Sequence, residues 1–209
     1  MTGDAVQVRP ARAGEADSLA PLLYEVNPEL HDRFAGNRED ALQGITRAFD
    51  STGHSGSAEA VRVAEIGGRP AGAMGCYPNW EGTTRGRADV RLGLRVSSLL
   101  HRPGLLAFVF RMQRAIPEAP REALYVDALA TAPEYRRRGV ARALLTAAAE
   151  EARPLGLIRV CLETEVANEP ARRLYESCGF IATAEGRRVR GVPRFVSYVR
   201  EIGATRPSP

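Results

Sequence analysis

The chain contains no lysine; all 29 of its basic residues are arginine, so some clustering of arginine is expected by chance and gains meaning only from context. Cysteine is scarce: Cys76, Cys161 and Cys178 are odd in number, and none stands in a CxxC or Cys/His spacing. That argues against a disulfide framework and a zinc site, and the three are read as buried thiols. His31, His54 and His101 are the only histidines, far apart and in polar contexts, so no metal is expected. With one tryptophan and no basic run beyond three residues, a nucleic-acid-binding module is disfavoured. No apolar run reaches about 18 residues, and "MTGDAVQVRP" lacks the basic-then-apolar order of a signal peptide. The expectation is a cytoplasmic protein without membrane or nucleic-acid partners.

What remains is ordinary for a globular domain: 209 residues, 44% apolar and 26% charged. A net charge of +4 permits a polyanionic small ligand without demanding a larger polyanion. One domain is expected over residues 1–203, with a flexible tail at 204–209. "VQVRP" predicts a strand, and the segment with Ala16, Leu19, Leu22, Leu23 and Val26 a helix. Ala41, Leu42, Ile45 and Phe49 predict a second helix over 38–49, followed by a turn-rich loop expected to be mobile. "VRVAEI", Gly67–Gly68 and "PAGAMGCY" give a hairpin signal. Residues 81–96 read as irregular, and Leu105, Phe108, Val109, Met112 and Ile116 place a helix after Pro103.

The later part of the chain is more explicit. "ALYVDALAT" is apolar on both faces apart from Asp127, the pattern of a central strand, and alternation puts Asp127 on the face of Leu129. After "APEY" come Arg136, Arg137, Arg138, Gly139, Val140 and Ala141, then Arg142 and an apolar helical stripe ending at Pro154. "LIRVCLETE" predicts another strand. "NEPARRLYESCGF" predicts a helix capped by Asn168 and ended by Gly179, and a closing strand pair follows. Three cations and a glycine between a buried strand and a helix start suit an anion site, because free amides at a helix start attract phosphate oxygens. "RRRGVA" lacks both the GK[ST] of an NTPase loop and the three glycines of a dinucleotide fingerprint.

The run resembles the pyrophosphate-binding motif [Q/R]xxGx[G/A] of the GNAT superfamily of acyl-CoA-dependent N-acyltransferases. "LATAPEY" before it and the pattern of Asn168, Ala171, Leu174, Tyr175, Glu176, Gly179 and Phe180 after it extend the resemblance. Element order agrees over about 6–200, and motif-level agreement covers about 124–180. The resemblance implies a mixed α/β fold: a mostly antiparallel sheet of about seven strands flanked by helices. Residues 81–120 would then be an insertion carrying a helix between strands 3 and 4, shaping the acceptor pocket, adding core or making a subunit contact that leaves room for a homodimer.

Chemically, the resemblance implies an N-acetyltransferase using acetyl-CoA as cosubstrate, with a small-molecule or peptide amine as acceptor. Leu129, Ala130 and Thr131 would bind the pantetheine arm through main-chain groups. Amides of 137–142 would hold the pyrophosphate, with Arg136, Arg137, Arg138 or Arg142 adding charge. Asn168 would meet the pantetheine arm, and Tyr175 would be the general acid. Asp127 is the candidate base or acceptor anchor, since a lone carboxylate in an apolar strand requires a purpose or a partner. Glu163 reads as structural, and Tyr24, Glu25, Asn27 and His31 as flanking the acceptor site or as a solvated face. A non-catalytic acyl-CoA-binding protein is the alternative.

Overall fold

The computed structural model describes residues 5–203; the tail expected at 204–209 lies outside them. One seven-stranded sheet runs through the domain in the order β1-β2-β3-β4-β5-β7-β6. Its strands are β1 (Gln7–Pro10), β2 (Val61–Ile66), β3 (Arg69–Pro78), β4 (Ala123–Thr131), β5 (Arg159–Glu165), β6 (Ile181–Glu185) and β7 (Phe195–Glu201). Every pairing is antiparallel except β4 with β5. The fold is therefore the mixed, mostly antiparallel one expected.

Each face of the sheet is covered by helices that the apolar periodicity supplies. On one face, α6 (Val140–Ala152) lays Val140, Leu144, Leu145 and Ala148 against Met74, Leu124, Val126 and Leu162. Tyr175 of α7 (Glu169–Ser177) joins the same core. On the other face, α1 (Ala16–Tyr24) and α3 (Arg38–Phe49) press Leu19, Leu23 and Phe49 onto Val61, Val63 and Ala73. Burying apolar area on both faces is what makes the middle strands apolar throughout.

Three expectations change. Between α1 and α3 the chain forms a further helix, α2 (Pro28–Ala35), started by Asn27, whose side chain accepts from the Leu30 amide at 3.1 Å, and by Pro28 in the first turn. It buries only Ala35 fully, so its periodicity is faint. Residues 82–96, read as irregular, form α4 (Gly82–Val96), and the insertion before β4 holds two helices, α4 and α5 (Arg102–Ala115). The loop expected to be mobile is fastened: the His54 amide donates to Ser57 Oγ at 2.8 Å, and the Ser55 hydroxyl donates to Asp89 of α4 at 2.6 Å.

Glycine conceals α4. Three glycines dilute its pattern, yet Gly93 is where α4 meets its neighbours: a Cβ there would lie 2.7 Å from Phe34 Cε1 and 3.2 Å from Leu105 Cδ2. Arg85, nearly buried, is neutralised by Glu81 and Glu59 and donates to the His54 carbonyl at 2.7 Å. In α5, Leu105 and Phe108 are buried, and the helix packs on α2 and α4.

Two substitutions in α4 separate helix propensity from packing. Gly86 has nothing within 4 Å of an added Cβ. Gly86→Ala should raise stability by about 0.5–1 kcal/mol through propensity alone. Gly93→Ala gains the same propensity but meets an overpacking cost of roughly 1–3 kcal/mol, so the net effect should be destabilising. Urea unfolding of both variants checks the opposite signs.

Candidate active site

β4 and β5 are hydrogen-bonded only from Ala123–Val126 to Arg159–Leu162. Beyond that, β4 continues to Thr131 paired with β3, and β5 continues to Glu165 paired with β7. The sheet thus opens in its middle, and one edge of β4 from Asp127 to Thr131 faces a gap; Leu129 and Thr131 turn their main-chain groups to it, whereas Ala130, expected to do the same, lies opposite Ala73 and is paired to β3. Because the two strands are parallel, the helices that follow them, α6 and α7, both begin at the open end. Two helix N-termini, with their unpaired amides, are therefore brought to one place.

Between β4 and α6, a single 3₁₀ turn (Pro133–Tyr135) leads into residues 136–139. Arg137 (φ 63°) and Gly139 (φ 82°) are left-handed, and alternating conformations of this kind turn successive N–H groups into one concavity suited to an anion. The first helical bond runs from the Ala143 amide to the Gly139 carbonyl at 2.9 Å, leaving the amides of 137–142 without a main-chain acceptor among the described residues. A Cβ on Gly139 would meet nothing within 4 Å, so the space over the loop is open. Arg136, Arg137 and Arg138 are exposed, Arg138 lying over the Tyr135 ring at 5.5 Å. The Arg142 side chain turns away, donating to the Ser177 carbonyl and hydroxyl at 3.0 Å each. Of the cations expected at the loop, Arg142 instead ties α6 to α7, while its amide stays with the loop.

On α7, Asn168 is the cap its sequence position suggested, its side chain accepting from the Ala171 amide at 3.2 Å. Two turns on, Tyr175 is 7% exposed, its ring against Phe180 and Tyr198. Among the described residues its hydroxyl makes no hydrogen bond, yet it is not sealed from solvent. Burial pushes this phenol up to about 12, so it is protonated at neutral pH.

The opposite face of β4 carries a second cluster. Register against β3 passes from Cys76↔Val126 to Gly75↔Ala128, so Asp127 is the extra residue of a β-bulge. After the bulge the faces exchange: Leu129 packs toward α6, and Ala128 toward α1 and α3. Asp127 and Leu129 therefore do not share a face, contrary to simple alternation. The Tyr77 hydroxyl donates to Asp127 Oδ1 at 3.2 Å, and Tyr125 stands beside Tyr77 at 5.6 Å between rings. Asp127 is exposed to water by surface area, while protein groups crowd around its carboxylate. That enclosure, reinforced by the nearby Asp89 carboxylate, pushes its carboxyl up to about 7.

The same face of the sheet holds Glu163, whose Oε1 accepts from the Ser197 hydroxyl at 3.2 Å and whose Oε2 is buried without a partner among the described residues. Burial raises its carboxyl too. His54, Ser55, Tyr77 and Asp89 were not singled out from the sequence. His54 Nδ1 lies 2.9 Å from Asp89 Oδ1, across 35 residues of chain, so no local pattern could signal the pair. Of the first-helix residues, Asn27 Nδ2 donates to Glu165 at the end of β5 at 2.8 Å, and Tyr24 donates to Asp32 at 2.9 Å and stacks on His31. Burial lowers the His31 imidazole. Among the described residues, no group of three or more His, Cys, Asp or Glu is arranged to hold a metal.

Comparison with known proteins agrees with this layout. No curated protein matches the sequence significantly. The chain resembles solved structures over nearly its whole length. An N-acetyltransferase from Staphylococcus aureus is 20% identical, with 92% of this chain and 99% of that one covered and a TM-score of 0.71. A second acetyltransferase is 18% identical over 94% and 100% of the two chains, with a TM-score of 0.70. At such identities the likeness is one of fold. The family model for Acetyltransferase (GNAT) family matches residues 23–180, which include the opened strands, the 136–141 loop and Tyr175. The chain belongs to the GNAT acetyltransferase family, and it is an acyltransferase.

Proposed function

We propose that this protein is an N-acetyltransferase that moves an acetyl group from acetyl-CoA to a primary amine in one ternary complex. The observation that carries the reading is the parting of β4 from β5 where the 137–142 amides gather. An open strand edge offers hydrogen bonds to the amide groups of a pantetheine arm, and the adjacent concavity suits a diphosphate. The fit is supported by the empty space over Gly139 and by three exposed arginines beside it. Bound acetyl-CoA supplies the activated thioester carbonyl.

This chain's own groups then divide the work between the two faces of β4. Main-chain amides of Leu129 and Thr131 on the open edge polarise the carbonyl, a contribution of about 3–4 kcal/mol per donor in comparable sites. Asp127 takes a proton from the acceptor ammonium; with a carboxyl near 7, it is partly ionised at neutral pH and basic enough for the task. As the C–N bond forms the nitrogen gives up its second proton to solvent, and as the C–S bond breaks Tyr175 gives its proton to the departing sulfur and recovers one from solvent; Asp127 passes its own proton to solvent. Asn168 holds the start of α7 and offers its free amide group to the pantetheine arm. The net change is one acetyl amide, one free thiol and one released proton.

The reading is tested by acetyl-CoA turnover with a panel of amines, following thiol release and the mass gain of one acetyl group. Tyr175→Phe should lower kcat by about 10²- to 10⁴-fold. The acetyl-CoA dissociation constant and the unfolding temperature should hardly change, because the hydroxyl bonds to no group among the described residues. A folded variant with kcat within about threefold of wild type contradicts the role, unless pre-steady-state kinetics show that product release limits turnover.

Asp127 also gives a stability test with a definite sign. Its carboxyl is raised from 3.8 to about 7 in the folded state. The unfolded chain therefore loses this proton first as pH rises, and folding stability falls between about pH 4 and 7. Asp127→Asn removes that loss. The variant should match wild type near pH 4 and unfold at a higher temperature above pH 7, as thermal melts across the range would show.

A further inference from the structure

The loop that joins β6 to β7 carries Arg187, Arg188, Arg190 and Arg194 and no acidic residue. It leaves and rejoins the sheet beside the end of β5, since the Gly186 amide donates to the Phe195 carbonyl at 2.8 Å and the Val166 amide to the Arg194 carbonyl at 2.7 Å. Those bonds put the loop at the end of the sheet where β4 and β5 have parted. The same end receives α2, whose cap Asn27 donates to Glu165. At Gly191 (φ 77°) the loop meets two further arginines, Arg33 of α2 and Arg111 of α5. A Cβ on Gly191 would stand 3.5 Å from Arg33 Nη2 and 3.5 Å from Arg111 Nη1, so the two nitrogens lie within twice that distance of each other.

Both side chains are exposed, so their mutual repulsion is modest, but a bound anion would turn it into attraction. Among the described residues neither guanidinium has a carboxylate partner, whereas Arg9, Arg62, Arg85, Arg159, Arg173 and Arg194 each have one. Asp32, the acid beside Arg33 in sequence, accepts instead from the Tyr24 hydroxyl. Arg33 is nevertheless held in place, its guanidinium lying over the ring of the buried Phe108 of α5 at 5.1 Å. Stacking uses the flat face of a guanidinium and leaves free its N–H edge, which is the edge that binds an oxyanion. Glycine at 191 keeps clear the point that both nitrogens reach. Two cations converging on one point from separate helices suit a single oxyanion, whereas a nucleic-acid backbone calls for a row of cations along a groove.

We propose that Arg33 and Arg111, over Gly191, form a site for an oxyanion, a carboxylate or phosphate carried by the acceptor, so that the substrate class is an amine that also bears an acid group. This rests on the reading of the protein as an N-acetyltransferase. Six residues of α2 and its cap, about 9 Å of helix, separate Arg33 from Asn27 at the end of β5, so the acid group is held apart from the parted strands where the amine would react. Arg188 and Arg190, exposed on the same loop, add positive potential that draws such an acceptor in.

The site is tested first without turnover, by titrating the full-length protein with inorganic phosphate and with acetate while following the arginine Nε–H signals by NMR. The signals of Arg33 and Arg111 are assigned by their loss in Arg33→Gln and Arg111→Gln. Both should shift together and saturate with at least one of the two anions, with or without acetyl-CoA, and the tighter anion names the acid group. Arg111→Gln should weaken the binding seen at Arg33 by on the order of tenfold, and Arg33→Gln that seen at Arg111. The absence of a saturable shift, or a shift shared equally by the other exposed arginines, overturns the proposal, as does displacement of the anion by acetyl-CoA. Binding to an oligonucleotide and to neither small anion also overturns it. Paired acceptors then test the use of the site: an amino acid against its amide, and ethanolamine phosphate against ethanolamine. The acid-bearing member of at least one pair should have the higher kcat/KM by on the order of tenfold, and either substitution should raise its KM while leaving kcat and the acetyl-CoA KM unchanged. Equal kcat/KM within both pairs overturns the assignment to the acceptor. If no amine is acetylated, the reading as an N-acetyltransferase fails, while the anion titration still decides the site.

Discussion

Four residue pairs join β4 to β5, and the rest of the site depends on the strands parting beyond them. A sheet opened at its middle leaves main-chain donors and acceptors without the partner that the ladder would supply, each at about 1–3 kcal/mol if shut away from water. The protein keeps this edge open where two parallel strands end and two helices begin. Parallel pairing is what makes the arrangement possible, since in an antiparallel pair the following helices would start at opposite ends. The opening, the 137–142 amides and the start of α7 are consequences of one topological choice.

The bulge at Asp127 is a second consequence of how β4 is held. β3 pairs along the whole of β4, and the extra residue lets a single strand point Asp127 to one face while Leu129 seals the core on the other. The acid and base proposed above thus stand on opposite faces of the opened strand: Tyr175 in the α6-side core, Asp127 on the side of α4 and the 54–55 loop. Each has a proton affinity shifted upward by burial or enclosure, which suits both a phenol that donates and a carboxyl that accepts.

What the sequence made legible was local. Arg136 to Ala141, Asn168 and Tyr175 could be read because glycine, cap and helical period sit within a few residues of one another. Asp127 stood out as the one charge in an apolar strand, but its face could not be read, because the bulge is set by pairing with β3, about fifty residues earlier. Helix α4 was hidden because its contact surface is made with glycine, so close packing against Phe34 and Leu105 left no apolar stripe to count. The His54–Asp89 pair was hidden for the same reason at one remove: only once 82–96 is helical does Asp89 meet the loop.

Amide hydrogen exchange with and without acetyl-CoA addresses the central claim, that the opened strand and the amides beside it form the acyl-CoA site. Saturating acetyl-CoA should slow exchange at Leu129, Thr131 and residues 137–142 by tenfold or more, as groups now open to water gain bound partners. Desulfo-CoA, which has no acyl group, should still protect 137–142. Binding that leaves both segments exchanging at their free rates, or protects residues only elsewhere in the sheet, would contradict the account.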